Sequence, residues 1–196
     1  LQLIRRKQGE AHLPERGAIM IGRPMTPLPE RGINVGISAR TVDLDYWQKA
    51  LRGSGPGPAP AFPLSVDLKA DELIVLGRYY TKVTAGVSGL APLWRGNLQS
   101  REATGDFQWD GADAGKLTAR FRKWHRPEKE SNDSQSGEVL KELPALDIVI
   151  DDFVVGARRF GRLEVQAHND GGIWRLDKID IVNPFASLSG SGQWQL

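Results

Sequence analysis

The feature that most constrains this chain is an internal repeat, in which two segments match in register at an offset of 80 residues. The run "VDLKADELIVLGRYY" from Val66 aligns with "LDIVIDDFVVGARRF" from Leu146. Aligned residues are of like kind: Asp67 with Asp147, Asp71 with Asp151, Arg78 with Arg158, Tyr80 with Phe160, and Trp94 with Trp174. A match of this length indicates one supersecondary unit used twice.

Apolar and polar residues alternate along both copies. The runs "SVDLKA", "KVTAGV" and "GRLEVQAH" each place aliphatic side chains on one side and charged or hydroxyl side chains on the other. This period of two is typical of half-buried antiparallel strands. We therefore predict a mainly β fold: one or more antiparallel meander sheets built from the repeat of about 80 residues, curled or sandwich-like, with one short helix.

The short helix is predicted from Asp43 to Leu51, in "TVDLDYWQKAL", where apolar residues follow an acidic start at spacings of three and four. Asp43 and Asp45 have two interpretations. Paired carboxylates are candidate metal ligands, but a metal site needs further converging ligands. Acidic side chains are also typical of helix N-termini, where backbone N–H groups lack partners, and we favour this role.

Composition divides the chain into four segments. Residues 1–60 are predicted to hold N-terminal strands, the helix and a Gly/Pro linker, and residues 61–125 the first β repeat. Residues 126–138 are polar and charged, which predicts a disordered loop, dispensable from 127 to 136. Residues 139–196 form the second β repeat. Because the chain starts at Leu1 and its final residues are strand-like, we expect it to be a fragment of a longer protein.

Charge and composition argue against several functions. Lys and Arg number 26 against 24 Asp and Glu, too even a balance for the basic surface that nucleic acid requires. The sequence has no cysteine, and its three histidines show no ligand spacing, so we expect no metal and no cofactor. No apolar run approaches the roughly 18–20 residues that span a bilayer.

The polar residues suggest no catalytic site. Asp151 and Asp152 are neighbours on a predicted strand, so we expect them to point to opposite faces. His125 lies among cationic residues in "RKWHRP", which suggests either a phosphate or lipid head-group contact or, as we favour, a solvated strand end. "GSGPGP" lacks the Lys-Ser/Thr ending of a phosphate-binding loop. We therefore expect the protein not to be an enzyme.

Several stretches resemble the C-terminal repeat region of the YhdP family, within the AsmA-like group of Gram-negative envelope proteins. The resemblance is carried by "LPALDI", "DDF", "RRFGRLEVQA", "WRLDKIDIVNP" and the closing Gly-x-Gly-x-Trp, and upstream by "RGAIMIG", "LPERGINVGISARTVDLDYW" and "PLSVDLKADELIVLGR". It implies a long periplasmic β-sheet curled into a hydrophobic groove, behind an inner-membrane anchor. Such proteins are thought to move phospholipid towards the outer membrane.

Three functions follow as hypotheses. In the first, acyl chains of phospholipid lie on an open apolar groove, and other envelope proteins are further candidate partners. In the second, the same side chains close into a core, and the segment is a structural spacer or assembly module without a ligand. In the third, the repeated tryptophans bind glycan, although packing anchors are the commoner role. The groove candidates are Val66, Leu68, Val83, Ala85, Leu146, Ile148, Leu163 and Val165.

Overall fold

The computed structural model describes residues 1–8, 11–47, 62–75, 77–126 and 143–195. They form two compact units, Leu1–Arg101 (unit 1) and Glu102–Leu196 (unit 2). The described residues comprise twelve strands and one short helix, so the prediction of a mainly β fold is confirmed.

Unit 1 contains six strands and the helix, α1, at residues 44–47. The predicted continuation of α1 to Leu51, the Gly/Pro linker and most of the predicted loop at 126–138 lie outside the described residues. The strands are β1 (Gln2–Gln8), β2 (Ala11–Ile21), β3 (Gly32–Asp43), β4 (Leu64–Val75), β5 (Arg78–Leu90) and β6 (Leu93–Gln99).

Unit 2 also contains six strands, and in both units each strand pairs with its neighbours in chain order. The final strand, β12, pairs with β11, and every described β12 residue is exposed. The strands are β7 (Ala103–Asp110), β8 (Lys116–Arg126), β9 (Ala145–Val155), β10 (Arg158–Asp170), β11 (Ile173–Asn183) and β12 (Ala186–Gln195).

The predicted antiparallel meander is wrong at three junctions, because β2–β3, β3–β4 and β8–β9 are parallel. The predicted sandwich is also wrong, since each unit pairs its strands side by side rather than stacking two sheets. The other pairings within the units are antiparallel: β1–β2, β4–β5–β6, β7–β8 and β9–β10–β11–β12.

The parallel junctions explain the long connections in the sequence. A hairpin reverses the chain, whereas parallel neighbours require the chain to return along the whole strand before pairing. In unit 2, Lys116 pairs with Ala145 and Arg126 with Val155, so the connection must travel back about 33 Å, ten residues of strand. A connection between two parallel strands therefore needs a minimum length, whereas a hairpin turn does not.

The internal repeat is confirmed in the pairing register of the two units. Ala70 pairs with Val83 in β4–β5, and 80 residues later Ile150 pairs with Leu163 in β9–β10. Similarly, Trp94 pairs with Gly89, and Trp174 pairs with Asn169. Since Gly89 and Asn169 also differ by 80 positions, the two tryptophans occupy equivalent places on equivalent strands. The parallel pairs β3–β4 and β8–β9 recur as well.

The strict alternation of faces fails once in β9, between Ile150 and Phe153. Asp151 binds Arg162 and Asp152 binds Arg159, and neither acid has a strand partner in the β9–β10 ladder. The prediction that these adjacent acids point to opposite faces is therefore wrong, since both reach cations on the polar side. They nevertheless bind different cations and form no joint site.

The acidic start of α1 has the capping role favoured from the sequence. Asp43 Oδ1 accepts a hydrogen bond of 2.8 Å from the backbone N–H of Tyr46, three residues ahead, the geometry of a helix N-cap. Asp45 Oδ2 accepts one of 2.7 Å from the N–H of Gly77 in the turn between β4 and β5. Each carboxylate thus accepts a hydrogen bond from a backbone N–H group. The described residues include no cluster of three acidic or histidine side chains suited to a metal ion.

Candidate apolar binding face

In unit 1, apolar side chains of four neighbouring strands share one face of the sheet. Residues paired directly across strands lie on the same face, and the register aligns Val35 with Val66, Val66 with Val87, and Leu68 with Ala85. The opposite face carries Ser65, Asp67, Lys69, Thr84, Ser88 and Asn97. The apolar face of unit 1 comprises Ile33, Val35, Ile37, Leu64, Val66, Leu68, Val83, Ala85, Val87, Trp94 and Leu98.

Unit 2 repeats this arrangement over more strands. Ala119 pairs with Ile148, Ile148 with Val165, and Val165 with Ile179, so one apolar row crosses four strands. Leu163 continues the next row through Ile181 to Leu188 on β12. The apolar face of unit 2 comprises Phe107, Trp109, Leu117, Ala119, Phe121, Leu146, Ile148, Ile150, Leu163, Val165, Ala167, Leu176, Ile179 and Ile181.

All eight predicted groove residues lie on these faces, four in each unit. Val83 and Leu163 are buried, at 1% and 8% exposure. The other six are only half-buried: Val66, Leu68, Ala85, Leu146, Ile148 and Val165.

The described strands belong to one sheet, so no second sheet is described that could lie over either apolar face. The close backbone contacts among the described strands are between hydrogen-bonded neighbours, and α1 is too short to cover a sheet. A strand pattern with one apolar face normally requires a second layer.

The sequence prediction missed the share of the face contributed by β3, β8 and β11. Val35, Leu117 and Ile179 are in register with predicted groove residues. The alternation in "INVGISA" and "KLTARF" carries the signal for β3 and β8. In β11 the pattern is broken by a register shift opposite Gln166 and Ala167, which a strict period of two cannot predict.

The tryptophans act as packing anchors at one end of the strands. Trp174 and Trp194 pair across β11 and β12 with ring centroids 5.4 Å apart, and Trp174 Nε1 donates a 3.0 Å hydrogen bond to the carbonyl of Pro144. Trp109 lies so close to Gly115 that a Cβ there would meet its ring at 2.4 Å. These contacts are packing contacts within the sheet, which is the commoner role of such tryptophans.

The polar face of unit 2 carries alternating charges that neutralise one another. Lys178 bridges Glu164 at 2.7 Å and Asp180 at 3.1 Å, and Arg162 also binds Glu164. The hydrogen bonds from Lys178 and Arg162 lower the pKa of Glu164, and the bond to Glu164 raises the pKa of Lys178. This face is therefore a solvated surface held by ion pairs, each worth little alone.

His125 belongs to the same polar side. Its Nε2 lies 2.9 Å from Asp152 Oδ2, and Arg159 binds both oxygens of that carboxylate at 2.7 and 2.8 Å. The hydrogen bonds from Arg159 and His125 lower the pKa of Asp152. His125 itself is thus engaged by an acid.

Comparison with known proteins gives one match. A protein-family model described as YhdP protein matches residues 1–196. No curated protein and no solved structure gives a significant match to the chain. Within the described ranges, no helix has the length and apolar content needed to cross a membrane.

Proposed function

The chain belongs to the YhdP family, and on this premise we propose that it is a non-enzymatic segment of an AsmA-like envelope protein that carries phospholipid along its apolar sheet face. The segment works in the periplasm, and its whole protein is anchored in the inner membrane. Phospholipid acyl chains are its ligands, and other envelope proteins are candidate partners.

One observation carries this proposal: in each unit, an apolar face continues in register across adjacent strands of one sheet, and most of the predicted groove residues on it are only half-buried. Large exposed apolar surfaces on soluble proteins mark sites that bind partners or ligands. A closed core would bury Leu68, Ile148 and Val165, which are half-buried. Their exposure favours the open groove over the structural spacer.

The dimensions of the face suit an acyl chain. Along β9 of unit 2, Leu146 and Val155 lie about 30 Å apart at about 3.3 Å per residue, whereas one leaflet contributes about 15 Å to a bilayer core of about 30 Å. Burial of each methylene contributes about 0.8 kcal/mol, irrespective of which aliphatic side chain it touches. Binding spread over many similar side chains lets a lipid slide without meeting one dominant site, as conduction requires.

Photo-crosslinking tests the proposal. A benzophenone amino acid replaces Val165 on the apolar face or Gln166, its neighbour on the polar face, and the full chain is incubated with phosphatidylethanolamine vesicles. We expect lipid adducts at position 165 and none at 166, and co-purified phospholipid in native mass spectra. Equal labelling at both positions, or none at 165, would favour the spacer.

A further inference from the structure

We propose that Arg126 and Arg158 form a phosphate head-group site at the edge of the apolar face of unit 2. This inference rests on the proposed function, since it specifies where the polar end of a bound lipid lies. The supporting observations are the position of the two side chains in the register, the face on which they lie, and the absence of an acidic partner for either among the described residues.

The two arginines flank one residue in the last row of the strands. Arg126 on β8 and Arg158 on β10 each pair with Val155 on β9, from opposite sides. Residues paired in this way share a face. Their backbones are therefore two strand spacings apart, about 10 Å, and two long side chains can converge over Val155 on one phosphate group.

That face is the apolar one. Trp124 and Phe153 pair two residues before this row, which places them on the same side as Arg126 and Val155. Trp124 contacts Phe121 of the apolar face with centroids 5.4 Å apart, and Phe153 contacts Phe160 at 5.9 Å. Such ring contacts are possible only on a common side of a sheet.

Neither guanidinium is neutralised within the described part of the chain. Both residues are exposed, and neither Arg126 nor Arg158 has an ion pair there. The adjacent Arg159, on the polar side, differs: it binds Asp152 through two hydrogen bonds. Arg159 is thus paired on the polar side, whereas Arg126 and Arg158 have no ion pair among the described residues beside the apolar face.

Unit 1 lacks this arrangement at the equivalent edge. Arg78 corresponds to Arg158 and pairs with Val75, but it is already engaged in an interaction. There α1 begins directly after β3, and Asp45 of α1 binds the turn that precedes Arg78. Within the described ranges, two neighbouring arginines without an acidic partner are therefore found at this edge of unit 2.

Along the strands of unit 2, the side chains on the apolar face change from aliphatic to aromatic to cationic, in the same order as the tails, the interfacial region and the phosphate of a phospholipid. Aliphatic residues such as Ile148 and Ile150 come first, then the aromatic row of Trp124, Phe153 and Phe160, and finally the two arginines. Aromatic side chains suit the boundary between hydrocarbon and water, and guanidinium groups bind phosphate through paired hydrogen bonds. A diacyl lipid can thus place its tails and its phosphate along one direction.

The test compares two lipids with the same acyl chains, phosphatidylglycerol and diacylglycerol, each carried in phosphatidylcholine-free detergent micelles. Crosslinking from position 165 of the full chain reports capture. We expect the wild type to favour phosphatidylglycerol and the R126Q/R158Q variant to lose this preference by about tenfold, with diacylglycerol capture unchanged. The R126K/R158K variant should keep part of the preference, because lysine binds phosphate as a point charge. Arg159→Gln is the matched control and should keep it all.

The outcomes separate this inference from the proposed function. If the wild type captures neither lipid, the proposed function is wrong. Equal capture of both lipids, unchanged in R126Q/R158Q, overturns the head-group site alone. A lower melting temperature of lipid-free R126Q/R158Q would also overturn it, because it would show that the arginines hold the chain together. Inorganic phosphate should not displace phosphatidylglycerol; displacement would identify a site for free phosphate.

Discussion

Asp71 and Lys82 form an ion pair of 2.7 Å across β4 and β5, and the pair recurs 80 residues later as Asp151 and Arg162. None of these four residues has a cross-strand partner in the β4–β5 or β9–β10 ladder, and Lys82 has a φ of 54°. The interruption lets an acid and a base meet on the polar side while the apolar residues before and after it share the other face. The repeat therefore preserves an irregularity as well as a pattern.

The crossover between β8 and β9 should be sensitive to length and not to composition. Deleting residues 127–136 leaves eight residues between Arg126 and Ala145. The nine Cα–Cα steps across them reach at most about 32 Å. The parallel register requires about 33 Å before any detour around side chains. We expect the deletion to abolish cooperative thermal unfolding, contrary to the expectation of a dispensable loop.

A ten-residue Gly/Ser replacement of 127–136 is the matched control and should melt within a few degrees of the wild type. If the deletion melted normally and the replacement did not, composition rather than length would be what matters.

Burial differs within one strand, so alanine substitutions there should differ in cost. Ile150 is 1% exposed, and Ile150→Ala should lower the free energy of unfolding by about 2–5 kcal/mol. Ile148 lies two residues away on the same face and is half-buried, so Ile148→Ala should cost about 1 kcal/mol. Urea unfolding measures both; equal losses would show that the face is covered at Ile148.

Two glycines with positive φ should respond differently to alanine. A Cβ at Gly161, where φ is +87°, would lie 2.3 Å from the carbonyl oxygen of Val182 on β11. At Gly171, where φ is +60°, it would meet nothing within 4 Å. Gly171→Ala should cost about 1 kcal/mol of backbone strain, and Gly161→Ala roughly 3 kcal/mol, because β10 and β11 must also separate. Similar melting temperatures for the two variants would contradict the close approach.

Asp152 should make stability depend on pH. Arg159 and His125 lower its pKa in the folded state, so the stabilisation is present above the unfolded pKa of about 3.9 and is lost as pH falls through the lower folded value. Asp152→Asn should therefore melt below the wild type at neutral pH and converge with it in acid. Asp106→Asn, at an exposed site on β7, serves as control. A gap that persisted in strong acid would assign the loss to packing.

Aspartate on the apolar face should separate fold from lipid capture. Val83→Asp places a carboxylate where only 1% of the residue is exposed, which costs several kcal/mol, so we expect misfolding. Leu68→Asp, at a half-buried site paired with Ala85, should retain the fold and lose crosslinking from position 85. Circular dichroism and lipid adducts report the two effects. Misfolding of Leu68→Asp would support a closed core.

The sequence predicted the strands and the apolar face because both follow from side-chain period. Leu68 and Ala85, or Ile148 and Val165, needed only alternation and the repeat to be placed together. Strand direction was missed, because parallel and antiparallel neighbours show the same alternation and only connection length distinguishes them. The linker lengths held that information, but the composition of residues 127–136 was interpreted as disorder.

The arginine pair at the edge could not be predicted from the sequence, for a different reason. Arg126 and Arg158 are brought beside Val155 by one parallel and one antiparallel pairing. To predict that they lie close together on the apolar face, one needs the pairing register and also the break in the alternation of faces at Asp151 and Asp152. Strict alternation would have assigned Phe153, and with it Val155, to the polar side.

The exposed β12 has a practical consequence for the purified chain. Strand edges template the addition of further strands, and soluble proteins usually protect them with charges, prolines or bulges. From Ala186 to Gln195, β12 has no charged residue and no proline, and its Leu188 and Trp194 are more than half exposed. Two copies can therefore join edge to edge, and the apparent mass in solution should rise with concentration. A lysine in place of Ser191 would keep the chain monomeric for every measurement described above.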